Sequence, residues 1–181
     1  MEEKIEEYSE QTRIFRIMKE AIPFIVIIIV VVLIRTFIIT PVRVNGASME
    51  PTLNEGEILI LNKLKTSFRR FDVVVVNVHD SKIIKRVIGL PGEVVSYRDC
   101  QLYINGLPVE DFVTECITDD FSLENLYNYL TIPAGHYFVM GDNRTESSDS
   151  RDSRIGLVNT KQLEGTTIFR VFPFNKIGRV R

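Results

Sequence analysis

The chain has 181 residues, 45% of them hydrophobic, with 22 Lys+Arg against 24 Asp+Glu. That composition excludes a disordered chain, a collagen-like repeat and a disulfide-dense miniprotein. A net charge of -2 offers no electrostatic footprint for nucleic acid, so no nucleic-acid partner is expected. The apolar residues are unevenly placed. Between Ile22 and Ile39 fifteen of eighteen positions are Ile, Val, Leu or Phe. As a helix this run spans about 27 Å, close to a hydrocarbon core of roughly 30 Å. In lipid a single segment satisfies its backbone only as a helix. Three regions are therefore expected: a cytoplasmic N-terminal segment 1–20, a transmembrane helix 21–40, and an extracytoplasmic domain 41–181. A cleaved signal peptide and a buried core helix are the competing readings of the apolar run. Lys4, Arg13, Arg16 and Lys19 precede it, whereas Arg43 alone follows closely. The excess of basic residues on the N-terminal side sets that side in the cytoplasm.

Beyond Pro41 the elements are short. Val42–Val44 reads as a strand or extended linker, and Glu55–Leu64, Asp72–Val78 and Lys82–Gly89 as strands rich in β-branched residues. Glu93–Tyr97 and Gln101–Ile104 follow the Pro91-Gly92 turn signal. Asn105-Gly106 marks a hairpin between QLYI and LPVE. Thr114–Leu130 is polar and mixed, with a helical turn near Leu123–Tyr129. Tyr137–Met140 feeds the polar loop GDNRTESSDSRDSRIG, and Thr166–Phe174 closes the pattern. Many short strands without a second amphipathic helix predict a mainly β, antiparallel domain. Phe68 and Phe71 are read either as an apolar, membrane-facing rim or as core and turn aromatics. Cys100 and Cys116 form a disulfide or remain thiols; a single pair is a weak signal, and thiols are the expectation. Two His residues and no Cys-His cluster give no familiar zinc site, so neither a metal nor a cofactor is expected.

Three segments carry possible chemistry: GASMEPTL around Ser48, KRVIGLPG opening at Lys85, and Gly141-Asp142-Asn143-Arg144 running on to Arg151. There is no G-x-S-x-G elbow. With histidine scarce, a serine nucleophile needs another base, and a Ser-Lys pair is a known variant. Such a lysine must be neutral, and burial lowers its pKa from about 10.4. Lys85 suits this, with Ile83 and Val87 on its own face at period two and Arg86 on the other. Arg86 stays protonated and cannot replace it. Taken singly, the plainer readings also stand: a strand lysine at an edge, a turn serine, a solvated Asx turn.

Taken together, the three segments resemble the bacterial type I signal peptidases, in the minimal form of Gram-positive-like members. Ser48 opens SMEPTL, Lys85 opens KRVIGLPG, and residues 141–151 match the third box without a gap. The resemblance implies a β domain of the signal peptidase and SOS-repressor-protease type, behind one transmembrane helix. It implies a serine endopeptidase that removes N-terminal signal peptides from exported preproteins, cutting after small residues at -1 and -3. Ser48 would be the nucleophile, Lys85 the base, and Ser147 the group that orients the lysine. Asp149 and Arg151 would brace the site by an ion pair, with Asp142 and Asn143 in the supporting turn. Gly46 stands where some members carry a serine of the oxyanion hole, leaving that task to the Ser48 backbone N–H. The implied partners are preproteins delivered by the export machinery, and membrane lipid. The chain lacks the DNA-binding segment of the SOS-repressor proteases, and it keeps both residues that a degenerate homologue would lose.

Overall fold

A computed structural model describes residues 2–79, 81–113 and 115–180. The chain divides into two compact units, the second of them Thr40–Arg181. In the first, helix α1 runs over Glu2–Phe37. It begins far ahead of the apolar run, because residues 2–20 are rich in Glu, Lys, Arg and Ile and contain neither Gly nor Pro. The part long and apolar enough to cross a membrane is Met18–Phe37, 20 residues with a mean hydropathy of 2.5. α1 stops at Phe37; Thr40, just beyond, precedes Pro41, which disfavours helical backbone before it.

The second unit is mainly β. Its larger sheet contains β1 (Ile39–Arg43), β2 (Ile58–Asn62), β3 (Val73–Val78), β4 (Ser81–Gly89), β9 (His136–Met140), β10 (Val158–Asn159), β11 (Leu163–Phe172) and β12 (Gly178–Arg179). The order is β1-β2-β11-β3-β4-β9-β10, with β12 also paired to β11. A smaller sheet holds β5 (Val95–Arg98), β6 (Gln101–Ile104), β7 (Leu107–Val109) and β8 (Phe121–Ser122) in the order β7-β6-β5-β8. The antiparallel architecture is the one expected from the sequence; the pairings of β3 with β4, β4 with β9 and β3 with β11 are all antiparallel.

The valine run of β3 is buried on both faces. Val73 and Val75 join Val44, Met49, Leu53, Leu59, Leu61 and Ile84 in one core. Val74 and Val76 join Phe68, Val87, Tyr137, Val139, Val158 and Leu163 in another. A strand buried on both sides reads as a continuous apolar run, which is why DVVVVNV shows no alternation. The two sheets are tied by a third core, where Ile88, Phe138 and Met140 meet Val95, Tyr97, Leu102 and Phe121. Asn105 and Gly106 have φ of 51° and 77°, the left-handed pair that a two-residue hairpin turn requires.

Three strands, the cysteine pair and one reading of two aromatics depart from the sequence expectation, whereas the helical turn expected near Leu123–Tyr129 is present. β8, β10 and β12 are two residues each, too short for any periodicity to register. Within 114–130 the structure describes all but residue 114. It contains β8 and helix α2 (Leu123–Tyr127), capped by the Ser122 side chain accepting from Asn125 N–H and closed by Asn128 at φ 58°. Cys100 and Cys116 are joined as a disulfide rather than left as thiols, with Cα atoms 4.9 Å apart. Phe68 is core, its ring edge-on to Tyr137 at 5.6 Å, and Phe71 packs on Phe112 at 5.1 Å; neither supplies an exposed rim.

Candidate active site

β4 and β9 fix the geometry. Their register pairs Arg86 with Met140 and Val87 with Val139. β9 ends at Met140, so Gly141 is the first residue beyond the pair that Met140 makes with Arg86, the neighbour of Lys85 in the chain. The turn that carries Ser48 meets the β9 end at the same place. Asn143 N–H donates to the Ser48 carbonyl at 3.1 Å, and Asn143 Nδ2 donates to the Ala47 carbonyl at 3.2 Å. Met49 and Leu53 are buried in the core beside β2 and pin the turn, which leaves Ser48 half-buried. Gly141 has no room for a side chain: a Cβ there would sit 2.2 Å from Ser147 Oγ and 2.3 Å from the Ser48 carbonyl oxygen. Glycine is required here by close approach rather than by backbone angle.

Lys85 is only 2% exposed. Its partner across β3 is Val74, and Val87 lies on the same apolar face. Lys85 Nζ makes no hydrogen bond or ion pair among the described residues. Burial pushes the ammonium down to about 8, aided by the nearby Arg151 charge, while Asp149 and Asp142 pull the other way. Ser147 Oγ is buried and has no hydrogen-bond partner of ordinary geometry among the described residues. Asp149 is fully buried, and burial alone would raise its pKa. The Arg151 hydrogen bonds and charge, the Gly141 N–H and the Ser147 hydroxyl nearby hold it below the usual range instead. Arg151 donates from Nε and Nη2 to the two Asp149 oxygens, each at 2.8 Å, and Gly141 N–H adds a bond of 3.0 Å.

On the opposite face of β4, Arg86 is wholly buried. It grips Asp142 in a two-pronged pair, Nε to Oδ1 at 2.8 Å and Nη2 to Oδ2 at 2.6 Å, and donates from Nη1 to the Phe71 carbonyl at 2.9 Å. The Phe112 ring covers the guanidinium, with Cζ 3.8 Å from its centroid. Such a pair survives burial because every charge has an oriented partner. Gly46 stands apart, exposed at φ 80°, with nothing within 4 Å of where a Cβ would lie.

The structure thus gathers Ser48, Lys85, Asp142, Asn143, Ser147, Asp149 and Arg151 around Gly141. Arg144 lay in the GDNR segment without being given a role, and Asp111, Phe112 and Thr118 carried no sequence signal at all. Arg144, 3% exposed, donates to the Gly141 carbonyl at 3.1 Å, to Thr118 Oγ1 at 3.3 Å and to Asp111 Oδ1 at 2.7 Å. Asp111, Phe112 and Thr118 come from the segment after β7. They are distant in sequence from the groups they hold, and the burial that makes Arg144 need acceptors shows only in the fold.

An apolar N-terminal helix and an antiparallel β domain, with a serine turn seated at the end of the strand that pairs with a lysine-burying one, point to a class of membrane-associated hydrolases. Comparison with known proteins narrows the class. The family "Signal peptidase, peptidase S26" matches residues 17–172. A signal peptidase I of Bacillus amyloliquefaciens is 40% identical over 165 residues, spanning 87% of this chain and 89% of that protein. Signal peptidase I T of Bacillus subtilis (strain 168) is 40% identical over 167 residues, or 87% of this chain and 86% of the relative. The crystal structure of a signal peptidase I from Enterococcus faecalis V583 superposes with a TM-score of 0.51 at 40% identity, covering 55% of this chain and 96% of that one. The chain belongs to the bacterial signal peptidase I family, peptidase S26.

Proposed function

We propose that this peptidase removes N-terminal signal peptides from exported preproteins with a Ser48–Lys85 dyad. The observation that carries the reading is a buried lysine driven toward neutrality within reach of Asp149, which accepts from the glycine packed against the serine turn. With its pKa brought to about 8, roughly one lysine in ten is neutral at pH 7. At its ordinary value of 10.5 the fraction would be about one in three thousand. Burial therefore supplies a usable base without histidine.

In the proposed reaction Ser48 Oγ attacks the scissile carbonyl carbon and its proton passes to Lys85 Nζ. The developing oxyanion is held by the Ser48 backbone N–H, since Gly46 contributes no hydroxyl. Collapse breaks the C–N bond, and the lysinium gives its proton to the departing amine, the new N terminus of the mature protein. Neutral Lys85 then takes a proton from water; the hydroxide attacks the Ser48 ester, and Ser48 leaves with the proton returned by Lys85. Ser147 Oγ, buried beside Asp149, accepts from the Lys85 ammonium in this reading and holds it in line. Asp149 with Arg151, and Asp142 with Arg86, keep the 141–143 turn in place, while Asn143 fixes the serine turn directly.

Cleavage after small residues at -1 and -3 belongs to the same reading. So does the arrangement in the membrane: residues 1–20 on the cytoplasmic side, a span within 21–40, and the domain from 41 onward outside, meeting preproteins delivered by the export machinery at the lipid surface. The excess of basic residues before the apolar run supports that orientation. Ser48→Ala and Lys85→Ala are each expected to abolish processing of a precursor by the full-length chain in detergent while circular dichroism stays native. Retained cleavage by either variant overturns the dyad.

A further inference from the structure

Beside the serine turn opens a cleft of about 540 Å³. One wall is Glu50 and Thr52, in the chain that leaves Ser48; the opposite wall is Phe112, Glu115 and Ile117; Asn143 lies at the floor. Its walls are tethered. Asn143 is bonded to both Ala47 and Ser48, Phe112 stacks on buried Arg86, and Cys116 is joined to Cys100 next to Glu115. Such a cleft needs little ordering on binding, which favours a defined ligand pose.

Its charge is specific. Asp142, which also lines it, is neutralised by the Arg86 pair. The Glu50 and Glu115 carboxylates make no hydrogen bond or ion pair among the described residues, so two negative charges line the cleft unmatched. The segment carrying Phe112, Glu115 and Ile117 is the connection between β7 and β8. Charge tells which part of a substrate passes here: small apolar side chains on the signal-peptide side of the scissile bond do not suit two unmatched carboxylates, whereas the polar chain beyond that bond does.

We propose that this cleft receives the first residues of the mature protein and that Glu50 and Glu115 favour basic over acidic side chains there. The proposal rests on the Ser48–Lys85 reading. It is tested with the full-length protein in detergent and a set of precursors carrying Lys or Glu at each of the first three mature positions in turn. At one or more of these positions kcat/KM is expected to favour Lys by about three- to tenfold at low salt, as one or two partly exposed charge pairs allow. Glu115→Arg, at an exposed position, is expected to erase or invert the ratio while circular dichroism stays native. An unchanged Lys-to-Glu ratio in Glu115→Arg, or equal rates for the two series in the parent, overturns the proposal while leaving the dyad intact. No cleavage of any precursor overturns both.

Discussion

Replacing Lys85 by Met is expected to destroy activity and to stabilise the protein. A pKa lowered from 10.5 to about 8 means that burying the charged form costs about 3 kcal/mol relative to the unfolded chain. The sign follows from proton binding. Below pH 8 both states hold the proton and the folded protein bears the full cost. Between about 8 and 10.5 the folded state releases its proton first, so stability rises with pH, and above 10.5 the cost is gone. Met fills a similar volume among Val74 and Val87 without a charge. Urea denaturation of the full-length chain in mild detergent, followed by tyrosine fluorescence, should show Lys85→Met more stable by about 3 kcal/mol at pH 7. The advantage should shrink steadily toward pH 10.5. A variant no more stable than the parent at pH 7, or one whose advantage is the same at both ends of that range, would refute the desolvation argument.

Two other perturbations test the surroundings. Gly141→Ala places a methyl group 2.3 Å from the Ser48 carbonyl oxygen and 2.2 Å from Ser147 Oγ. The serine turn must shift, and a displacement of about 1 Å is expected to lower kcat/KM on the order of 100-fold; wild-type kinetics in this variant would show that the contact does not position Ser48. Asp149→Asn removes a charge that raises the Lys85 pKa and leaves Arg151, which lowers it, in place. The acid limb of the kcat/KM–pH profile should therefore move below about 8, and a shift to higher pH would contradict the assigned electrostatics.

Much of this site was legible because strand periodicity is strict. Lys85 and Arg86 are adjacent in sequence and so lie on opposite faces of β4; the apolar neighbours at 83 and 87 foretold a desolvated lysine. The hairpin at Asn105-Gly106 was legible from turn chemistry alone. What escaped was everything set by contacts across long stretches of chain. Nothing local to EDFVTEC says that Asp111 neutralises Arg144 or that Phe112 roofs Arg86. The start of α1 was missed for another reason: hydropathy marks where lipid would be, whereas helix propensity extends the same helix through the polar residues before it. The disulfide depended on the fold bringing two Cα atoms within 4.9 Å, a matter of loop path that spacing does not encode.

The pairing of Val74 with Lys85 and of Arg86 with Met140 has a consequence for how this enzyme tolerates change. Sliding β4 by one residue would exchange the contents of its two faces. The permanent cation would then occupy the apolar side, where it could never give up its proton, and the lysine would fall into the carboxylate grip meant for arginine. Insertions or deletions between β3 and β4 are thus a threat to chemistry before they are a threat to folding. The Asp142 clasp on Arg86 acts as a detent, holding the strand at the single setting in which its neighbour can serve as the base of the proposed dyad.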